Sequence, residues 1–345
     1  MTTPTFAKTA EIAPDQRVAM ISDMHVGDGG ASEPFRRQDD VLRAFFEHVA
    51  RDYDALVIAG DGFDLAQAWS MRRIYERHRP LLDDLRDLSR ELPVYYLRGN
   101  HDESASQLAE VLPLRYSENL RIGERILVEH GNVFDPKNQP GDRAAFWASR
   151  THAMIEKALR SPVRIPMRKH YCWSTRLGHW VFFRYGMLQK LMSRLYGALG
   201  LEERARECLA FLDYWGRGEW GNLNGVLDAG EALLRGSAYD VLVCGHTHQP
   251  GQVRLSSGTY VNTGSWTFGE TTYVDYAGGE FNVRRWPEAG ALADEEYRGV
   301  LGPHSDKSFF EWWEAFYLGW LRYDVEAMDR AALGDPLREA GEDAR

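Results

Sequence analysis

Five short clusters in this 345-residue chain carry side chains that bind metal ions: Asp23-Met24-His25, Gly60-Asp61-Gly62-Phe63-Asp64, Gly99-Asn100-His101-Asp102, His130-Gly131-Asn132 and Gly245-His246-Thr247-His248. A carboxylate and an imidazole at alternate positions, as in Asp23 and His25, point to one side of an extended segment and offer one oxygen and one nitrogen. His246 and His248 repeat that spacing with two nitrogens. Glycine precedes Asp61, Asn100 and His246, where it lets the backbone turn sharply. A single Asp-x-His reads as a polar loop; five such clusters in succession read as one centre. Mixed nitrogen and oxygen ligands suit Mn, Fe or Zn and leave the choice among them open.

Each cluster must be delivered by an element, and each follows a short apolar run: Val18 to Ser22, Ala55 to Ala59, Val94 to Leu97, Ile126 to Glu129 and Val241 to Cys244. These runs predict buried strands. Helical patterns over Asp39 to Arg51 and Ile74 to Leu92 lie between the early ones, giving the alternation of a layered α/β domain. Ligands gather beyond the carboxyl ends of strands in such sheets, where these clusters sit. After Val241, close-set strands over Thr259 to Asn262, Thr272 to Asp275 and Phe281 to Arg285 predict a second, partly antiparallel sheet. Residues 142–237 read as an inserted helical cap. The division expected is an N-terminal extension, 1–16; a catalytic domain, 17–141 and 238–300; the cap; and a C-terminal aromatic helix and tail, 301–345.

The order Asp-x-His, Gly-Asp, Gly-Asn-His-Asp, a separate His and Gly-His-x-His resembles the calcineurin-like metallophosphoesterase family. The resemblance implies an α/β fold, a layered α-β-β-α sandwich, and two divalent metal ions, with Mn preferred. By that likeness Asp23, His25, Asp61 and His248 hold one ion, and Asp61, Asn100, His130 and His246 hold the other. Asp23 and Asp61 are the anionic members of that set, since Asn100 binds through a neutral carbonyl, so the site stays electropositive for a phosphate. A water between two such ions loses its proton near neutral pH and is the expected nucleophile. His101 either protonates the leaving oxygen or hydrogen-bonds the substrate phosphate, while Asp102 orients its ring or shapes the loop. Asp64 either binds a ligand histidine or caps the next helix. Arg98, beside the Gly-Asn-His cluster, is a candidate substrate contact.

The likeness extends to His-Gly-x-x-Phe-Asp at His130 to Asp135, Gly-His-Thr-His-x-Pro at Gly245 to Pro250, and Asn262 to Trp266. These are similar to the UDP-2,3-diacylglucosamine pyrophosphohydrolases, which act on a lipid-linked substrate under an inserted cap; this chain has His101 where those enzymes carry Arg. From Arg160 to Gly200 there is no Asp or Glu, yet eight Lys and Arg fall there, interleaved with large apolar residues. Arg164, Arg168 and Lys169 are therefore candidate contacts to a phosphorylated, lipid-linked substrate or an anionic membrane surface. A cap helix packed on the catalytic domain is the plainer reading of the same stretch.

The formal net charge of -10 argues against a stable nucleic-acid partner. Three scattered cysteines, without a Cys-x-x-Cys pair, suggest neither a disulfide framework nor a thiolate zinc site and fit a reducing compartment, the cytoplasm. The polar start, Met1 to Arg17, lacks the apolar run of a secretory signal. A soluble phosphodiesterase or nuclease, and a non-enzymatic scaffold on the same fold, are the alternative functions. A scaffold usually lacks ligands that are all present here.

Overall fold

The computed structural model describes residues 7–35, 38–68, 70–109, 111–135, 138–139, 141, 143–160, 173–218, 225–267 and 269–287. In chain order the strands are β1 (Ala7–Ile12), β2 (Val18–Ile21), β3 (Ala55–Ile58), β4 (Val94–Leu97), β5 (Arg115–Ile122), β6 (Ile126–Val128), β7 (Val241–Cys244), β8 (Gly251–Leu255), β9 (Gly258–Asn262), β10 (Thr272–Ala277) and β11 (Glu280–Arg285). The helices are α1 (Asp39–Asp52), α2 (Leu65–Ala68), α3 (Met71–Arg77), α4 (Arg79–Glu91), α5 (Arg143–Leu159), α6 (Trp173–Ala198), α7 (Glu202–Gly218) and α8 (Val226–Gly236).

Hydrogen bonding runs unbroken through the order β11-β10-β2-β3-β4-β5-β6-β7-β9-β8, with β1 added parallel to β5. The strands after Val241 are thus continuous with the first ones and do not form a detached sheet. Two layers nevertheless arise, because the sheet folds over on itself. Val18 and Met20 of β2, Val57 of β3, Val128 of β6, Val243 of β7 and Val261 of β9 share one buried cluster, although β3 and β7 are not neighbours in the hydrogen-bonded order. The alternate residues face outward to helices. Ala19, Ile21, Leu56 and Ile58 meet Leu42, Phe45 and Val49 of α1 and Leu81, Leu85 and Leu88 of α4. Leu127, Leu242, Cys244 and Tyr260 meet Val226, Leu227 and Leu234 of α8. Period-two alternation within apolar strands thus yields the expected α-β-β-α layering.

The helix expected over Ile74 to Leu92 is two helices, α3 and α4, meeting at His78. Pro80 lies in the first turn of α4, where its missing N–H costs nothing, but it cannot continue a preceding helix. Ala7–Ile12, read from sequence as extension, pairs with Ser117 to Ile122 and buries Ile12. Helix α8 falls inside residues 142–237 yet serves as a layer of the sheet. Helix α5 packs on α2, and Lys157 Nζ lies 2.7 Å from Asp28 Oδ2, tying the insertion to the loop after His25. Helices α6 and α7 pack on each other. Among the described residues no helix is long and apolar enough to cross a membrane. Arg164, Arg168, Lys169 and the whole of 301–345 lie outside the described residues.

Candidate metal centre

Strands β2, β3, β4, β6 and β7 end at one edge and deliver Asp23, Asp61, Asn100, His130 and His246 there. Among the described residues six non-glycine positions have left-handed backbone, and five are ligand candidates: Asp23 (φ 50°), His25 (φ 49°), Asp61 (φ 50°), His246 (φ 63°) and His248 (φ 56°). The alternate spacing of Asp23 and His25 therefore does not act through an extended segment, as the sequence suggested. Each side chain is turned inward by a strained residue that the surrounding bonds hold in place. Asp23 N–H donates to Gly60 O at 3.1 Å, His25 N–H to Asp61 O at 3.0 Å and Val26 N–H to Gly62 O at 3.0 Å, so the first two loops are laced together. Gly60 has φ 85°, and a Cβ there would come within 2.5 Å of His130 Nδ1. A Cβ at Gly99 would collide with the Asp61 carboxylate.

Asp23, His25 and His248 form one group whose ligand atoms lie within 4.8 Å of one another. His248 Nε2 is 3.1 Å from Asp23 Oδ1, and the two Nε2 atoms of His25 and His248 are 3.3 Å apart. Asp61 joins a second group with Asp23 and His130, and a third with His25 and His101. Asp61 Oδ2 lies 3.3 Å from His130 Nε2 and 3.7 Å from His25 Nε2, so one carboxylate oxygen faces a histidine of each group. Asn100 Oδ1 is 3.2 Å from His130 Nε2. His246 stands at the margin. Its Nε2 is 3.0 Å from Asp135 Oδ2, it belongs to none of the three groups found among the described residues, and Nδ1 is its remaining nitrogen for a metal.

These residues fit divalent cations on two observations. His130 Nδ1 donates to Ala59 O at 2.9 Å, so Nε2, facing the Asn100 and Asp61 oxygens, is the nitrogen that offers a lone pair to a cation once its proton is displaced. Asp23 Oδ1 is buried and makes no well-formed hydrogen bond, with His248 Nε2 3.1 Å away as its neighbour. A cation between them satisfies both. The electrostatics agree. Burial would raise the Asp61 pKa, yet the neighbouring His130 and His101 hold it below the usual carboxylate range. Burial would lower the histidines, but bonds to Asp23 and Asp64 raise His25 to about 9, and the field of Asp61 and Asp23 raises His130 to about 10. Without metal, the carboxylates of the centre collect protons on its histidines.

Three buried acids support this centre. Asp64 Oδ1 caps α2 by accepting Gln67 N–H at 3.0 Å and also lies 3.1 Å from His101 Nδ1, while its Oδ2 lies 3.6 Å from His25 Nδ1. Both roles considered for Asp64 are thus combined in one side chain. Asp102 does not touch the His101 ring. It accepts Tyr96 O–H, Gly99 N–H at 2.9 Å and Phe63 N–H at 3.3 Å, which makes it a brace of the Gly99 loop. Burial and the nearby Asp61 raise the Asp102 pKa to about 6. Asp135, fully buried, was given no role from the sequence; its place at the end of the His-Gly-x-x-Phe-Asp run from His130 was its one signal. Arg98 lines a cavity of about 80 Å³ beside His130 with Glu118, Asn119, Glu129, Asn132 and Val133.

A model of calcineurin-like phosphoesterases matches residues 16–250, more than half of the chain and every ligand candidate. The chain belongs to the calcineurin-like phosphoesterase family. Solved structures similar to this phosphoesterase include a dimetal phosphatase from Danio rerio (15% identity, 79% of this chain and 96% of that one, TM-score 0.42). Others are the phosphoesterase Yfce from E. coli (14%, 80% and 97%, TM-score 0.37) and an archaeal phosphodiesterase (12%, 78% and 99%, TM-score 0.34). No curated protein matches the sequence.

Proposed function

We propose that the protein hydrolyses a phosphoester or pyrophosphate bond with two divalent ions, Mn foremost, held by Asp23, His25, Asp61 and His248 and by Asp61, Asn100, His130 and His246. The observation that carries this reading is the convergence of Asp and His ligand atoms at the ends of β2, β3, β4, β6 and β7, within 4.8 Å of one another in each of three groups. When bound, the ions activate water and offset charge on the phosphoryl oxygens. The chain's own groups do the rest. His101 has Nδ1 held against Asp64, so Nε2 is the atom that gives a proton to the departing oxygen. His101 N–H donates to Asp61 Oδ1 at 2.8 Å, which fixes the proton donor relative to the bridging carboxylate. Arg98 lines the cavity beside His130, with Nη1 3.5 Å from Glu118 Oε1, and would turn from that acid to neutralise a second phosphate or the leaving group.

The finer reading is a lipid-linked pyrophosphate such as UDP-2,3-diacylglucosamine, worked on at the inner face of a membrane. The acid-free stretch with Arg164, Arg168 and Lys169 supplies the cations for its headgroup and for anionic lipid. Purified protein with manganese is expected to cleave bis-p-nitrophenyl phosphate and, in detergent, to release UMP from the glycolipid. Cleavage of the simple diester without UMP release discards the lipid substrate and keeps the phosphodiesterase. Absence of both activities with the metal bound discards the hydrolase.

A further inference from the structure

Helix α6 packs along α7 and buries Gly186 and Ser193. Its large apolar side chains point the other way. At about 100° per residue, Met187, Leu191, Leu195, Leu188, Val181 and Leu199 fan out in that order over an arc of roughly 120° on the side opposite the Gly186–Ser193 line. Their exposure runs from 45% at Met187 to 64% at Leu199. A hairpin helix in water turns its broad apolar face inward. This one buries small residues and presents the broad face outward.

The charges on the helix select what covers that face. Between Val181 and Gly200 they are Arg184, Lys190 and Arg194, with no Asp or Glu. Lys190 and Arg194 lie just beyond the Met187 edge of the arc, and Arg184 lies within it. A second copy of α6 would bring like charges together and bury Arg184 between two apolar faces. At a bilayer surface the same arginine lays its stem along the apolar layer and keeps its guanidinium among the headgroups. Residues 181–210 hold five Lys and Arg against three Glu, in a chain whose formal net charge is -10, so attraction to an anionic surface is local to this hairpin. We propose that α6 lies in the plane of an anionic phospholipid surface, with its Met187 to Leu199 face at the acyl boundary. Residues 181–199 would make a contact about 28 Å long. This rests on the membrane-surface reading proposed above, to which it adds the element that makes the contact, and it is independent of the metal chemistry.

The test sediments the full chain with vesicles of phosphatidylcholine alone or mixed with phosphatidylglycerol. Binding to the mixed vesicles is expected, about tenfold weaker without the anionic lipid. Leu191→Asp with Leu195→Asp is expected to weaken it by about tenfold or more, with bis-p-nitrophenyl phosphate turnover unchanged. Absent binding, equal binding to both vesicles, or undiminished binding of the double variant each overturns the proposal. A second readout places a benzophenone amino acid at Leu188 and irradiates the protein on mixed vesicles. Adducts with phospholipid are expected, whereas adducts with a second copy or another segment of the chain in place of lipid overturn it. Release of UMP in detergent without vesicle binding removes the docking surface alone. Vesicle binding lost with the double variant, without UMP release, supports the surface and discards only the glycolipid.

Discussion

Asp61 is the residue on which the centre turns, because its carboxylate faces His25 and His130 while its Oδ1 accepts the His101 N–H. Asp61→Asn removes the charge that would hold both cations together, and turnover is expected to fall about 10³-fold with loss of bound metal. Metal analysis beside the rate checks this, and a full metal complement would remove Asp61 from the bridge. His101→Ala separates proton donor from ligand. A drop of about 10²-fold in kcat with metal retained is expected, whereas stoichiometric metal loss would make His101 a ligand of the group it forms with His25 and Asp61. Asp135→Asn tests whether the acid that meets His246 fixes that ring. Metal affinity is expected to weaken by about 10- to 100-fold with the fold intact.

The elements explain how such residues are held and why some could not be read beforehand. Strands β2, β3 and β4 are buried along their whole length, so they are continuous apolar runs and legible in sequence. Strand β5 carries the polar run Ser117, Glu118 and Asn119 at its centre, and β1 reads Ala-Lys-Thr-Ala-Glu-Ile; each makes a strand through its neighbour rather than its own hydrophobicity. His78 belongs to none of the ligand clusters in the sequence. It sits buried at the α3–α4 junction, with Nδ1 2.6 Å from Asp39 Oδ1 and Nε2 3.1 Å from Glu33 Oε1, and Glu33 accepts Gly27 N–H at 2.6 Å. Burial would lower its pKa, but Asp39 and Glu33 raise it to about 9 from an ordinary 6.5. The raised value means that stability from this contact is full below pH 6.5 and is lost as pH climbs through 9. Urea unfolding at pH 6 and pH 10 should show that loss in the native protein and a flatter profile in His78→Gln. Equal slopes would mean that the imidazolium does not stabilise the junction.

For the molecule as a whole, strained loops from β2, β3 and β7 hold acidic groups together in a buried space, so metal binding is expected to stabilise the fold. Added manganese is expected to raise the thermal midpoint, and a chelator to reverse the gain. With His25 lifted to about 9 and His130 to about 10 in metal-free protein, a cation displaces protons near pH 7, so the gain should grow from pH 6 to pH 8. A gain independent of pH would contradict that competition. The sequence by itself determined the ligand types, their order and the strands that end at them, because those depend on residue chemistry and on patterns a few residues long. The tertiary structure decided that Asp64 rather than Asp102 meets the His101 ring, that Asp135 meets His246, that α8 is a sheet layer, and that the sheet folds over without a break. Each of these is a contact between segments far apart in the chain, fixed by how the layers pack and invisible to any local pattern.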